Sequence, residues 1–172
     1  AVTAVAAVAA ETPEAKTAEP FVEVPTGVIV PASRAQHEAE PCLVECEETH
    51  WTPSPEAIAE LETKLRPHLE ERLREALAAL EAVPVEKRKH SVQESQVGHL
   101  RNILGRLDQT ARQYIGVIVR DTRWIHVAGL PREDPYEWRQ RVAIVSDGGD
   151  WFWEATYRPD SGFVLFGWHG EA

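Results

Sequence analysis

Arg112-Gln113-Tyr114-Ile115-Gly116-Val117-Ile118-Val119, followed by Arg120-Asp121-Thr122-Arg123 and Trp124-Ile125-His126-Val127-Ala128, decides the fold. The run Gln113–Val119 is short, β-branched and apolar on both faces, which is the composition of a central strand. The polar break that follows has turn length, so the two apolar runs form a hairpin. Downstream, Arg141–Val145 has the composition of a third strand, after a charged loop bounded by Pro131 and Pro135. Ser146-Asp147-Gly148-Gly149-Asp150 supplies the positive φ angles that tight turns need. Trp151–Tyr157 is then a fourth strand, with Trp151, Trp153, Ala155 and Tyr157 on one face by period-two alternation. Arg158-Pro159-Asp160-Ser161-Gly162 is a turn, and Phe163–Trp168 a last strand. Residues 112–170 hold 11 of the 13 aromatic residues.

A sheet with one apolar face needs a cover, and the sequence upstream provides it. Thr52-Pro53-Ser54-Pro55-Glu56 is a helix entry, with Ser54 as N-cap, Pro55 at the first helical position and Glu56 at the positive end of the dipole. Ile58, Leu61, Leu65, Leu69, Leu73, Leu77 and Leu80 form one apolar stripe. Pro67 either kinks this helix or divides it in two. Pro84 ends it, and Glu86-Lys87-Arg88-Lys89-His90 is a solvated basic connector. A second helix runs from about Val92 to Ala111, with Val97, Leu100, Leu104, Leu107 and Ala111 as its stripe. The expected fold is therefore α+β: two amphipathic helices on a four- to five-stranded antiparallel meander, one domain over residues 51–172, with helices in 55–111 and the sheet in 112–170.

Residues 1–50 are rich in Ala, Pro, Glu, Thr and Val and nearly lack aromatics. That composition describes an extended acidic segment unable to offset its ordering entropy. Phe21–Val24 and Gly27–Val30 are β-like patches that either dock on a sheet edge or belong to a linker, and composition favours the linker. The net charge of −10 is uneven: residues 1–55 carry nine acidic and two basic groups, residues 56–111 ten and nine, and residues 112–172 nine and seven. With no basic stripe, nucleic acid is not an expected partner. No stretch is long and apolar enough to cross a bilayer. The alanine- and valine-rich start and the absence of methionine are consistent with the remnant of an export signal.

His37, Cys42, Cys46 and His50 are spaced H-x4-C-x3-C-x3-H. In an exported protein two cysteines more often make a disulfide. A helical turn would hold the Cα atoms of Cys42 and Cys46 about 6 Å apart, within bonding range. Free thiols, and a tetrahedral zinc site built from all four residues, are the other readings; otherwise no cofactor is expected. Catalytic signatures such as G-x-S-x-G, H-E-x-x-H and Walker A do not occur. An envelope-polymer hydrolase would have to use Asp147, Asp150 and His169. A binding surface would use the aromatic strand face and its neighbours: Trp151, Trp153, Trp168, Tyr157, His126 and Asp147. Against these stand plainer readings: a hairpin turn for Asp147, a structural histidine at His126 and a helix-packed core for the tryptophans.

At Arg112-Gln113-Tyr114-Ile115-Gly116, and at Asp147-Gly148-Gly149 followed by Phe152-Trp153 and Tyr157, the chain resembles small exported bacterial proteins of unknown function. In that family an R-Q-Y-[IV]-G strand precedes a C-D-G-G segment and aromatics. Ser146 stands where the family has its cysteine, so any disulfide there is absent. The resemblance implies a bacterial, periplasmic or cell-surface setting and carries no activity. The combined expectation is a non-catalytic envelope protein that binds a protein or ligand, as an inhibitor, an immunity-type protein or an accessory subunit.

Overall fold

A computed structural model describes residues 19–38, 49–133, 137–143 and 148–168. Seven strands form one mixed, mostly antiparallel sheet. In chain order they are β1 (Val22–Val24), β2 (Gly27–Val30), β3 (Thr49–Trp51), β4 (Thr110–Val119), β5 (Thr122–Pro131), β6 (Trp153–Arg158) and β7 (Gly162–Trp168). The helices are α1 (Ala32–Glu38), α2 (Pro55–Glu81), α3 (Val85–Arg88) and α4 (Val92–Arg106). The order across the sheet is β1-β2-β4-β5-β6-β7. One edge of β4 is shared: β2 runs parallel along Arg112–Ile115, and β3 runs antiparallel along Gly116–Ile118.

An antiparallel meander is present as expected, β4-β5-β6-β7, but without the strand expected between its second and third members: β5 pairs β6 directly, with Ile115 opposite His126 and Val127 opposite Ala155. The N-terminal part departs from expectation. Phe21–Val30 is not a linker, because Val28, Ile29 and Val30 lie at zero exposure inside the sheet. Three apolar side chains at a shared strand edge bury enough surface to offset their ordering, which a composition average over fifty residues conceals.

Three boundaries also moved. The second long helix ends at Arg106, and Ala111 belongs to β4. Thr110 and Arg112 both donate to the carbonyl of Leu107, at 2.9 Å each, and so close the helix end with side chains. Pro67 lies within a single 27-residue α2. The expected strand at Arg141–Val145 is not one over its described residues, 141–143. There the carboxamide of Gln113, fully buried, takes the place of a neighbouring strand. It donates to the carbonyls of Trp138 and Arg141 at 2.6 Å each and accepts from the Ala143 amide at 2.8 Å. One side chain thus satisfies backbone groups that would otherwise need a ladder. The basic connector is not wholly solvated either: Arg88 returns to the Glu81 and Val83 carbonyls at the end of α2, at 2.9 Å each.

The helices and the sheet meet in one core. Ile58, Leu61, Leu65 and Leu69 of α2 and Val97, Leu100 and Ile103 of α4 pack with Tyr114, Ile125, Val127, Trp153, Ala155 and Tyr157. On the opposite face Trp138 covers Val28, Ala111 and Leu130, and Ala35 of α1 covers Val30, Ile115 and Val117.

Candidate functional site

Ser54 caps α2 as expected, accepting from the Ala57 amide at 3.2 Å. The first two turns of α2 form a ridge with a cleft on each side. The larger cleft, about 780 Å³, opens between Trp51, Ser54 and Ala57 on one wall and the two hairpin turns, with Asp121, Arg123 and Asp160, on the other. Trp51 lies across Gly116, whose missing side chain is essential here: a Cβ would stand 2.2 Å from the Trp51 carbonyl oxygen. The indole donates to the Trp124 carbonyl at 3.1 Å. The Arg123 guanidinium sits 4.9 Å over the Trp51 ring. On the other face of the sheet the guanidinium of Arg158 lies 5.2 Å over Trp124. Asp160 grips Arg158 in a bidentate pair at 3.0 and 2.6 Å, and that pair lowers the Asp160 pKa.

The smaller cleft, about 510 Å³, lies between the β1–β2 turn and α2 and is lined by Val24, Pro25, Pro55, Ile58, Ala59 and Glu62, among others. Its floor is polar. Tyr114 donates to Glu62 Oε1 at 2.7 Å, so the Thr26 hydroxyl, 2.6 Å away, donates to the phenol oxygen. Arg112 stands 3.5 Å from the same Glu62 oxygen. Burial first, then the Glu62 charge, push the Tyr114 phenol far above its ordinary range, and it stays neutral.

The residues singled out by sequence are spread over several places. Trp153 and Tyr157 are core, at 0% and 1% exposure. Trp168 is half-buried with its ring 4.9 Å from His99. Trp151 is not in the strand: it closes a 3₁₀ turn at Gly149–Trp151 and is 42% exposed, with Arg106 stacked 3.9 Å over it. The aromatic face of β6 is therefore the inner face of the fold. His126 is buried on the opposite face, its Nε2 4.0 Å from Glu154. His50 lies on β3, and burial lowers its pKa. His37 falls within α1, but its side chain lies outside the described residues, as do Cys42, Cys46, Asp147 and His169. The disulfide, the four-ligand zinc site and the Asp147–Asp150–His169 set thus extend beyond what is described. Among the described residues no three His, Cys, Asp or Glu side chains group closely enough to hold a metal.

Asp150 is described, and it serves as a clamp. Asn102 donates to it at 2.8 Å, His99 Nδ1 lies 3.1 Å away, and Arg106 pairs with its other oxygen. Burial alone would raise its pKa, but the hydrogen bonds from Asn102, Arg106 and His99 together outweigh burial and leave it lowered. A folded pKa below the ordinary 3.8 gives stability that is present above that value and lost as pH falls through the folded pKa. Asp150→Asn should therefore cost about 1–3 kcal/mol in urea unfolding near neutral pH and much less at an acidic pH below the folded pKa. An equal cost at both pH values would show that the carboxylate charge does not hold the turn.

Sequence reasoning passed over Trp51, Arg123, Glu62 and Arg112. Glu62 carried a readable signal: it stands four residues after Ile58 and three before Leu65, so a charge falls on the edge of the apolar stripe. Arg112 carried another, as a charge near the start of a strand that is otherwise uncharged. Trp51 and Arg123 are brought together only by the β3–β4 pairing, which no local pattern encodes. No protein family, curated protein or solved structure matches the chain. No helix among the described residues is long and apolar enough to cross a membrane.

Proposed function

We propose that this chain is a non-catalytic binding protein of the bacterial envelope, exported to the periplasm or cell surface, which engages a protein partner through the cleft lined by Trp51 and Arg123. The observation that carries this reading is the cleft itself. It is open and about 780 Å³ in volume, and it presents a tryptophan fixed from below by its indole N–H and from above by an arginine. Tryptophan and arginine dominate interface energetics because they bury large areas, and here the tryptophan is already held in place, which lowers the ordering cost of binding. Two of the cleft carboxylates support binding over proton transfer: Glu62 and Asp160 are engaged by Tyr114 and Arg158. The envelope setting rests on the resemblance at Arg112–Gly116 and Asp147–Tyr157. Inhibitor, immunity-type protein and accessory subunit are the forms such a protein takes.

A photo-crosslinking residue at Thr122, in the cleft wall, tests the reading in bacterial cells. The expected result is a discrete adduct that Arg123→Glu abolishes, with no such adduct from the same probe at Arg101 on the exposed side of α4. No adduct from Thr122, or equal adducts from both positions, overturns it.

A further inference from the structure

Edge strands offer unpaired backbone groups to other chains, and proteins guard them by shortness, charge, proline or β-bulges. The two edges of this sheet differ. β1 has three residues and carries Glu23. β7 has seven, Gly162-Phe163-Val164-Leu165-Phe166-Gly167-Trp168, with no charge and no proline, and a register irregularity against β6 at Thr156/Tyr157. Of the longer strands, β4, β5 and β6 each contain at least one arginine or glutamate. Only β2, Gly27-Val28-Ile29-Val30, combines a similarly apolar sequence with full burial, and it has a strand on either side. β7 thus has the composition of an interior strand at a position where, among the described residues, its outer side has no strand. Leu165, on the face away from the helices, is 57% exposed.

We infer that β7 pairs with β7 of a second copy, antiparallel about a two-fold axis, and that the sheet continues through the dimer. Self-complementarity selects the second copy as occupant. Read in either direction, residues 162–167 give glycine, aromatic, aliphatic, aliphatic, aromatic, glycine. An antiparallel pairing centred between Val164 and Leu165 sets Gly162 opposite Gly167, Phe163 opposite Phe166 and Val164 opposite Leu165 of the second copy. The register irregularity at Thr156/Tyr157 supports that arrangement. Phe163 lies opposite Tyr157 and Phe166 opposite Ala155, so both phenyl groups sit on the helix side. Isologous contact requires a patch that matches itself. A strand without charge avoids the like-charge repulsion that a two-fold would otherwise impose on a chain of net charge −10.

Light scattering coupled to size exclusion, over a concentration series of the full chain, tests this. The wild type is expected at twice the 19.3 kDa chain mass. Leu165→Lys, at an exposed position the fold does not need, is expected at the single-chain mass with an unchanged circular dichroism spectrum. Val92→Lys, at an exposed apolar site on α4, should keep the dimer and so excludes a general effect of added charge. A wild type that stays at single-chain mass at high micromolar concentration overturns the inference, including the case in which it takes up an extended peptide instead. A Leu165→Lys variant that remains dimeric also overturns it.

Discussion

Arg112→Met is expected to lower the unfolding free energy by about 3–5 kcal/mol, the cost typical of removing one partner of a buried ion pair. Arg112 is 3% exposed and lies under the helices. Its guanidinium holds two groups in place. One is the Leu107 carbonyl at the exit of α4, bonded at 2.9 Å. The other is Glu62, whose carboxylate is 18% exposed and 3.5 Å away. Methionine fills most of the volume, so packing loss is small and the effect isolates the charge. Without Arg112, the Tyr114 hydroxyl is the donor left to Glu62 among the described residues, and a carboxyl group in a poorly solvated site without its partner is costly. The pair itself need not be strongly stabilising. Replacing both members with apolar residues is often neutral or better, because two desolvation costs disappear together. The double variant Arg112→Met/Glu62→Leu should therefore be more stable than Arg112→Met alone, with Tyr114 still bonded to Thr26 at 2.6 Å. Urea unfolding followed by circular dichroism reads the double variant beside Arg112→Met and Glu62→Leu alone. Additive losses in the double variant would mean that Arg112 and Glu62 act independently.

This network also shows how far the sequence goes. Helix entry at Ser54–Pro55, the apolar stripes of α2 and α4 and the four-strand meander are local signals, written in periodicity and turn chemistry, and they were legible. The sheet extension was not. β2 and β3 join β4 across more than sixty residues of chain, and short runs such as Val28-Ile29-Val30 or Thr49-His50-Trp51 carry no period long enough to mark a strand. Gln113 illustrates a second limit. A glutamine in an apolar strand is a weak signal, yet its carboxamide replaces an entire expected strand pairing at Trp138–Ala143. The candidate cleft depends on both effects. Trp51 reaches Arg123 only because β3 lies beside the far half of β4, and it fits only because residue 116 is glycine.

Trp153→Ala is expected to cost about 3–5 kcal/mol, the loss typical of truncating a large buried aromatic. The indole is at 0% exposure and anchors the contact between sheet and helices. Its place is made by Gly129 on the neighbouring strand: a Cβ there would stand 2.0 Å from Trp153 Cε2. Phe166 packs from β7 with ring centroids 5.7 Å apart, and the Arg112 guanidinium lies 5.9 Å from the ring. Alanine would leave a void bounded by a glycine on one side, which has no side chain to collapse into it. Trp153→Phe separates volume from polarity. The indole N–H is buried without a hydrogen-bond partner among the described residues, so phenylalanine sheds an unsatisfied donor as it gives up part of the volume. Those terms oppose each other, and the expected loss is below about 1.5 kcal/mol. Trp151→Ala sets the lower bound: that ring is 42% exposed and touches Arg106 from outside, so its removal should cost no more than about 1 kcal/mol. A Trp153→Ala loss well above those of Trp153→Phe and Trp151→Ala, read from urea midpoints, distinguishes a core indole from a surface one on the two sides of Phe152. If Trp153→Phe cost as much as Trp153→Ala, the unpaired N–H would have to have a partner after all, and the indole would be held by polarity as well as by fit.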